Sequence, residues 1–288
     1  MLFLDIAAKT DRGRVRESNQ DVAIAAPHLR IVVVADGMGG HSYGEIASRV
    51  AARSLIAAFE QLGGPSELLA ETRARLIAAF QAANDTVGRH PSAGQPGGLG
   101  TTLVAAAFVG RHVVVANVGD SRCYRLRDGG LSVLTDDHSV AAEAVRSPES
   151  YPGSLLQRAE RATNVLTRCV DGRAELMIDT MVSSCQAEDV FLLCSDGLWG
   201  CVGPDTIVAI LVNATDPNDA CDRLIGAAWA GGGGDNIAVA VVHVQRTAKR
   251  LLPQMDHENL NEEATSLTAT RPASARPAPK STDCSRRP

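Results

Sequence analysis

Aromatic residues are scarce in this sequence. They make up 3% of its 288 residues, whereas 45% are hydrophobic, so a core must be built mainly from aliphatic side chains. Proteins that bind single-stranded nucleic acids stack the bases on aromatic rings, and those that bind duplexes carry an excess of positive charge. Here the formal net charge is −5, from 28 Lys and Arg against 33 Asp and Glu. We therefore predict a globular protein with no nucleic-acid partner.

Long apolar runs and paired cysteines are also missing. The apolar N-terminus is interrupted at Asp5, too soon for a signal peptide, and no later stretch approaches the ~20 apolar residues that cross a membrane. The seven cysteines form no Cys-x-x-Cys pair, which argues against a zinc–thiolate site, and their odd number argues against a disulfide framework. We expect a cytoplasmic location and no membrane span.

The composition of the chain changes near residue 246. Residues 1–245 contain the apolar periodicity of a folded domain, whereas residues 246–288 are rich in Ser, Pro and Arg. A segment of that composition buries too little apolar surface to offset its loss of chain entropy on folding. We predict one folded domain over 1–245 and a disordered tail over 246–288.

Strand-like and helix-like patterns are grouped along the domain rather than alternating. Amphipathic patterns predict helices at 45–62, from residue 66 onward, around 205–212 and around 218–230. Residues 139–163 are interrupted by prolines and predict an irregular insertion. This grouping predicts an α+β fold with antiparallel sheets. Short β-type runs predict strands at 22–25, 29–35, 102–109, 112–118, 123–126, 131–134, 176–181, 190–194 and 236–244.

Five short motifs place an aspartate at the end of a strand or in a tight turn. Asp36 and Asp196 each follow a run too apolar for a surface strand, and the glycine after each lets the backbone approach a ligand. One such motif is usually only a turn. Five together fit that interpretation poorly, because clustered carboxylates repel one another and a divalent cation with oxygen ligands relieves the repulsion. The five aspartates are Asp21, Asp36, Asp120, Asp196 and Asp235.

A longer ordered series of motifs surrounds these aspartates. In chain order they are Arg12-Gly13-x-Val15-Arg16-x-x-Asn19-Gln20-Asp21, Val34-Ala-Asp-Gly-Met-Gly-Gly-His41 with Gly44-Glu45, Gly100-Thr-Thr-Leu103, Val118-Gly-Asp-Ser-Arg122, Asp137-His-Ser139, Asn164-Val-Leu-Thr-Arg168, Leu193-Cys-Ser-Asp-Gly-Leu-Trp199 and Asp235-Asn-Ile237. The series resembles the metal-dependent protein phosphatases, specifically the type 2C serine/threonine phosphatases in their bacterial form. No single motif is decisive, but the ordered set is specific and spans about residues 11–244.

The resemblance implies a fold and a set of metal ligands. The fold is a four-layer αββα sandwich, in which two antiparallel sheets pack face to face between helix pairs. At one end, two Mg²⁺ or Mn²⁺ ions are implied. The first would be held by Asp36, Asp196 and Asp235, and the second by Asp36 together with the backbone carbonyl of Gly37.

The same resemblance implies roles for three further residues. Asp21 would orient water at the metals, Asp120 with Asp196 would hold a third and looser ion, and Arg16 would grip the substrate phosphate. The implied mechanism is direct attack on phosphorus by a hydroxide that bridges the two ions, without a covalent intermediate. None of the seven cysteines has an arginine six positions later, so the loop of a cysteine-based phosphatase is absent.

Two positions depart from the family pattern. Animal members carry a histidine, proposed to protonate the leaving alcohol, where this chain has Met38, and a thioether cannot donate a proton. His41 is not its equivalent by alignment, and both an accessory and a structural role fit this residue. Gln20 replaces a glutamate of many relatives and is a second accessory candidate, which can accept a hydrogen bond from ligand water without adding charge. His138 stands alone, which predicts a structural role.

Together, these features predict a serine/threonine phosphatase that acts on phosphorylated proteins. The resemblance implies that a serine/threonine kinase is among the partners, that the chain is a monomer, and that residues 139–163 form a flap beside the active site. Two alternatives stay open: a narrow regulatory phosphatase for one switch protein, and a catalytically inactive, phosphatase-like binding module. The retained aspartates argue against the second, because a module freed from catalysis has no reason to hold so many like charges together.

Overall fold

The computed structural model of the chain describes residues 2–39, 43–91, 99–150, 158–159, 162, 165–173 and 175–246. His41, much of the 139–163 segment and all but the first residue of the predicted tail lie outside the described residues, so the expectations for them stay predictions. Among the described residues, no helix combines the length and apolar character that a membrane crossing requires.

Two antiparallel sheets make up the centre of the described structure. The strands are β1 (Leu2–Asp11), β2 (Asp21–Ala26), β3 (Ile31–Met38), β4 (Gly100–Thr101), β5 (Leu103–Val109), β6 (His112–Val118), β7 (Arg122–Arg127), β8 (Gly130–Val133), β9 (Asp179–Ser184), β10 (Val190–Cys194) and β11 (Ile237–Arg246). One sheet has the strand order β1-β11-β10-β7-β8, and the other has the order β2-β3-β5-β6-β9, with β4 paired to the end of β3.

Helices cover the outer face of each sheet. The described α-helices are α1 (Tyr43–Gln61), α2 (Leu69–Gly88), α3 (Val140–Arg146), α4 (Asp196–Trp199), α5 (Pro204–Asn213) and α6 (Pro217–Ala230). The pair α1 and α2 buries Phe59 and Phe80 against the β3 sheet, and the pair α5 and α6 buries Leu211 and Leu224 against the β11 sheet. The predicted four-layer αββα sandwich is confirmed.

Packing on both faces explains why the central strands are continuously apolar. In β3, Val32 and Val34 face the other sheet, while Ile31 and Val33 face the helices. All four side chains are completely buried. A strand that is buried on both faces accepts a polar side chain only where hydrogen bonds satisfy its polar atoms. The polar residue Asp36 therefore comes only where the strand leaves the core.

Two edge strands differ from the sequence predictions. The strand β1 was not predicted, yet it pairs with β11 over its full length. Leu2, Leu4, Ile6 and Ala8 alternate along it and pack, partly buried, against the core between the sheets, and Ala7 alone is fully buried. The strand predicted at 176–181 is observed as β9, which begins at Asp179 and has no buried side chain. The pattern of β9 is weaker, because a strand with no buried side chain is held mainly by backbone hydrogen bonds, which leave no trace in the sequence.

The contact between Phe108 and Phe191 generates a stability prediction. Their rings meet edge to face between the two sheets, with centroids 5.2 Å apart, and both are buried. We expect Phe191→Ala to lower the free energy of unfolding by about 3–5 kcal/mol, because it removes apolar contacts and leaves a cavity. Urea unfolding followed by circular dichroism measures the change.

The matched control for this prediction is Phe3→Ala. Phe3 is 55% exposed, and substitutions at such surface positions change stability by about 0.5 kcal/mol or less. Equal losses in the two variants would show that the sheets do not depend on this aromatic contact.

Candidate functional site

A polar cleft of about 240 Å³ lies at one end of the sandwich. The elements that reach it are the end of β3, the turn between β6 and β7, the start of α4 and the residues before β11. The described residues that line the cleft are Arg16, Gln20, Asp36, Gly37, Met38, Gly39, Thr102, Asp120, Leu166, Asp196, Asp235 and Asn236. The structure therefore brings together the predicted site residues other than Asp21, which lies buried beside the cleft, and His41, which lies outside the described residues.

The backbone of Asp36 is fixed by two neighbouring threonines. Its N–H donates to the Thr102 hydroxyl at 2.9 Å. Its carbonyl oxygen accepts from the Thr102 N–H at 2.9 Å and from the Thr101 hydroxyl at 2.8 Å. In the sequence these threonines are visible only as part of the Gly100-Thr-Thr-Leu103 motif, which does not indicate this role. They determine where the Asp36 carboxyl group enters the cleft.

A serine holds the buried carboxyl group of Asp21. The Ser195 hydroxyl donates to Asp21 Oδ2 at 2.6 Å and accepts from the backbone N–H of Ala238 at 2.9 Å. Asp21 also pairs in register with Asp36 across β2 and β3. The sequence does not indicate this role of Ser195, because a serine before an Asp-Gly gives no signal for a partner 174 residues away.

The loop that carries Arg16 is attached to the start of β11. The Asn236 side-chain amide donates to the carbonyl oxygens of Arg12 at 2.8 Å and Ser18 at 2.9 Å, and its oxygen accepts from the backbone N–H of Gln20 at 2.9 Å. Arg16 itself is 54% exposed at its side chain and forms an ion pair with Asp235 at 2.8 Å. The hydrogen bond to Asp235 raises the pKa of Arg16. Arg16 thus lies at the rim of the cleft as a charged donor.

The carboxyl groups in and beside the cleft repel one another electrostatically. Burial, together with the charge of Asp196, raises the pKa of Asp21 to about 7 and that of Asp120 to about 7. Burial and the charges of Asp21, Asp196 and Asp120 raise the pKa of Asp36 well above its usual range. Burial also raises the pKa of Asp196. Ionising all of these groups together is unfavourable unless positive charge enters the cleft.

The donor atoms of the cleft suit a hard divalent cation. Asp196 Oδ1 is buried and has no hydrogen-bond partner among the described residues. A Cβ at Gly37 would lie 2.0 Å from the carbonyl oxygen of Gly44, so only glycine fits where this backbone enters the cleft. As the described residues stand, no group of three or more acidic, histidine or cysteine side chains is arranged to hold a metal ion. The cleft therefore offers carboxylate and carbonyl oxygens, which Mg²⁺ and Mn²⁺ prefer, around an open space.

Comparison with known proteins places this geometry in context. The family model described as Protein phosphatase 2C matches residues 11–222. The serine/threonine phosphatase stp of Listeria monocytogenes (strain F2365) is 36% identical over 247 residues, which cover 84% of this chain and 96% of that protein. The serine/threonine protein phosphatase PstP of Mycobacterium tuberculosis (strain H37Rv) is 36% identical over 245 residues, which cover 84% of this chain and 45% of PstP.

Solved structures show the same similarity. The PstP catalytic domain in complex with two manganese ions superposes with a TM-score of 0.73 at 33% identity, covering 85% of this chain and 100% of that one. The phosphatase MsPP from Mycobacterium smegmatis, in complex with cacodylate, gives a TM-score of 0.70 at 36% identity and covers 83% of this chain and 97% of that one.

The repulsion between the carboxyl groups generates a prediction for the metal-free protein. We expect Asp36→Asn, measured in excess chelator at pH 7, to raise the free energy of unfolding by roughly 1 kcal/mol, because the neutral amide removes one member of a like-charged cluster. Urea unfolding of the two proteins in chelator measures this difference in the free energy of unfolding.

The control variant is Asp128→Asn, at the turn between β7 and β8. Asp128 has a φ of +50°, a conformation that asparagine tolerates, so this variant should match the wild type. A clear loss of stability in Asp36→Asn alone would contradict the repulsion argument.

Proposed function

The chain belongs to the protein phosphatase 2C family, and we propose that it hydrolyses phosphoserine and phosphothreonine esters on proteins with the help of two divalent ions, Mg²⁺ or Mn²⁺. The observation that carries this proposal is the cleft itself, where Asp36, Asp196 and Asp235 lie together with Arg16. Two manganese ions in the similar PstP catalytic domain support the choice of metal.

The oxygen ligands can be assigned to individual residues. Asp36, Asp196 and Asp235 would hold the first ion, and Asp36 with the Gly37 carbonyl would hold the second. Asp120 would share a third, more weakly bound ion with Asp196. When bound, divalent ions lower the pKa of a water molecule and place positive charge beside the phosphoryl group.

The side chains around the metal ligands have separate tasks. Arg16 presents a planar fork of N–H donors, which matches two oxygens of a phosphate group. Its exposed position at the rim leaves it free to turn from Asp235 toward a substrate. Asp21, fixed by Ser195, would accept a hydrogen bond from the attacking water and orient it.

Protonation of the leaving alcohol needs a donor other than the residue at position 38. Met38 lines the cleft, and its thioether carries no proton to donate. Gln20 also lines the cleft and stays neutral, so it can orient water without supplying a proton. We assign this proton to water in the cleft, and we keep His41 as an accessory candidate.

We further propose the cellular setting of this activity. The substrates would be phosphorylated proteins, including a serine/threonine kinase, and the enzyme would act as a cytoplasmic monomer. The 139–163 segment would form a flap that influences substrate choice, because Ser139 at its start bridges to Leu166, which follows the segment in the chain and lines the cleft. The residues 1–245 would form the phosphatase domain, and 246–288 a disordered tail.

Metal dependence is the first prediction of this function. We expect hydrolysis of a phosphothreonine peptide to rise with Mn²⁺ concentration and to vanish in chelator. Asp235→Ala should lose at least about 100-fold in activity, because it removes an oxygen ligand and the partner of Arg16. Asp128→Asn, which is remote from the cleft, should match the wild type.

Two results of that assay would redirect the assignment. A wild type that binds Mn²⁺ but hydrolyses no peptide would favour the narrow regulatory phosphatase. A wild type that binds no Mn²⁺ would favour the inactive binding module.

The role of Arg16 gives a second prediction. Arg16→Ala should lower kcat/KM for the phosphothreonine peptide by about 10- to 100-fold, mainly through KM, because it removes charge-assisted hydrogen bonds worth about 1.5–3 kcal/mol. Arg16→Lys keeps the charge but loses the planar fork, so it should fall between wild type and Arg16→Ala. An unchanged KM in Arg16→Ala would refute the assignment.

A further inference from the structure

A fully buried histidine lies behind the turn that carries Asp120. The backbone N–H of His138 donates to the carbonyl oxygen of Gly119 at 3.0 Å. In the other direction, the backbone N–H of Gly119 donates to His138 Nδ1 at 3.1 Å. One residue therefore satisfies both backbone polar groups of the glycine that comes immediately before Asp120.

This glycine has a conformation that needs such support. Gly119 has a φ of +104°, and a Cβ there would lie 2.6 Å from the side chain of Thr102. Only glycine fits this position, and glycine alone leaves the backbone free to adopt many other conformations. After the turn, the carbonyl oxygen of Asp120 accepts from Trp199 Nε1 at 3.1 Å. His138 thus fixes the incoming side of the turn, and Trp199 fixes the outgoing side.

The hydrogen bonds determine which imidazole nitrogen carries the proton. Nδ1 accepts from Gly119, so in the neutral ring the proton lies on Nε2. That proton is donated to Asp179 Oδ2 at 3.0 Å. Arg168 Nη1 lies 2.9 Å from Asp179 Oδ1 and 3.4 Å from His138 Nε2, so the guanidinium binds the carboxylate rather than the ring. Asp179 therefore orients the imidazole so that its lone pair faces Gly119.

We propose that His138 is a positioning residue for Asp120, and that it sets the affinity of the divalent cation site to which the Asp120 carboxylate contributes. This inference rests on the function proposed above. A histidine that only filled space would need neither the two bonds to Gly119 nor the Asp179 contact that fixes its tautomer. The carbonyl oxygen of His138 also accepts from the N–H of Thr167 at 2.9 Å, so the same residue connects the Asp120 turn to the segment that follows the predicted flap.

Calorimetric titration of the full chain with Mn²⁺ tests the proposal. Asp120→Asn identifies the binding step to which Asp120 contributes. We expect His138→Leu to weaken that step by about 10-fold and to leave the other steps unchanged, because removing a group that orients a ligand costs about 10- to 100-fold in metal affinity. His138→Asn keeps an acceptor near the position of Nδ1 and should stay within about 3-fold of wild type.

A matched histidine variant and a double mutant separate positioning from general stability. His243→Leu replaces a partly buried histidine in β11, and it should not change Mn²⁺ binding. If His138 acts through Asp120, the double variant with Asp120→Asn and His138→Leu should bind Mn²⁺ like Asp120→Asn alone. Should His138→Leu fail to fold, Asp179→Ala replaces it, and we expect a weaker shift in the same direction.

The outcomes distinguish this inference from the proposed function. A wild type that binds Mn²⁺ normally, with His138→Leu giving the same titration, would overturn the inference alone. Additive losses in the double variant, or equal weakening of every binding step, would also overturn it. A wild type that binds no Mn²⁺ would overturn both.

Discussion

Like charges that are held together out of water are the constraint on which this site depends. Burial and mutual repulsion raise the pKa values of Asp21, Asp36 and Asp120. A flexible chain would separate such groups, because separation relieves the repulsion and restores their hydration. Here the packing of the apolar layers holds the strand ends in place and offsets the unfavourable free energy of this repulsion. The stability of the sandwich and the chemistry of the cleft are therefore linked.

Two packed sheets provide the rigidity that the cleft requires. The strands β3 and β10 are buried between the layers, and each ends at the cleft. The pairing register between β2 and β3 then determines the position of Asp21, which lies opposite Asp36 across this antiparallel pair. A shift of one residue in that register would turn every side chain of β2 to the opposite face. The apolar residues thus determine the placement of the polar ones.

The sequence predicted the strands and carboxylates better than the groups that orient them. The central strands and Asp36 were predictable, because burial on both faces leaves a continuous apolar run that ends at a polar residue. The edge strand β1 was not predicted, although Leu2, Leu4 and Ile6 alternate along it and pack, partly buried, against the core. Thr102 and His138 act through hydrogen bonds to residues that are distant in sequence. Such contacts exist only after the sheets have packed, so no local pattern records them.

The chemical nature of these orienting groups explains how the cleft keeps its negative charge. The groups that hold the deeper aspartates are neutral: the Ser195 hydroxyl donates to the Asp21 carboxyl group, and the side chains of Thr101 and Thr102 bond to the backbone of Asp36. A buried lysine or arginine in the same place would neutralise the carboxylates and remove the attraction for a cation. Of the described residues that line the cleft, Arg16 alone is positively charged, against four aspartates. It lies at the exposed rim, where water screens its charge and a phosphate group can reach it. Because the groups inside the cleft are neutral and the positively charged side chain of Arg16 lies at its edge, the same cleft can attract metal ions and bind an anionic substrate.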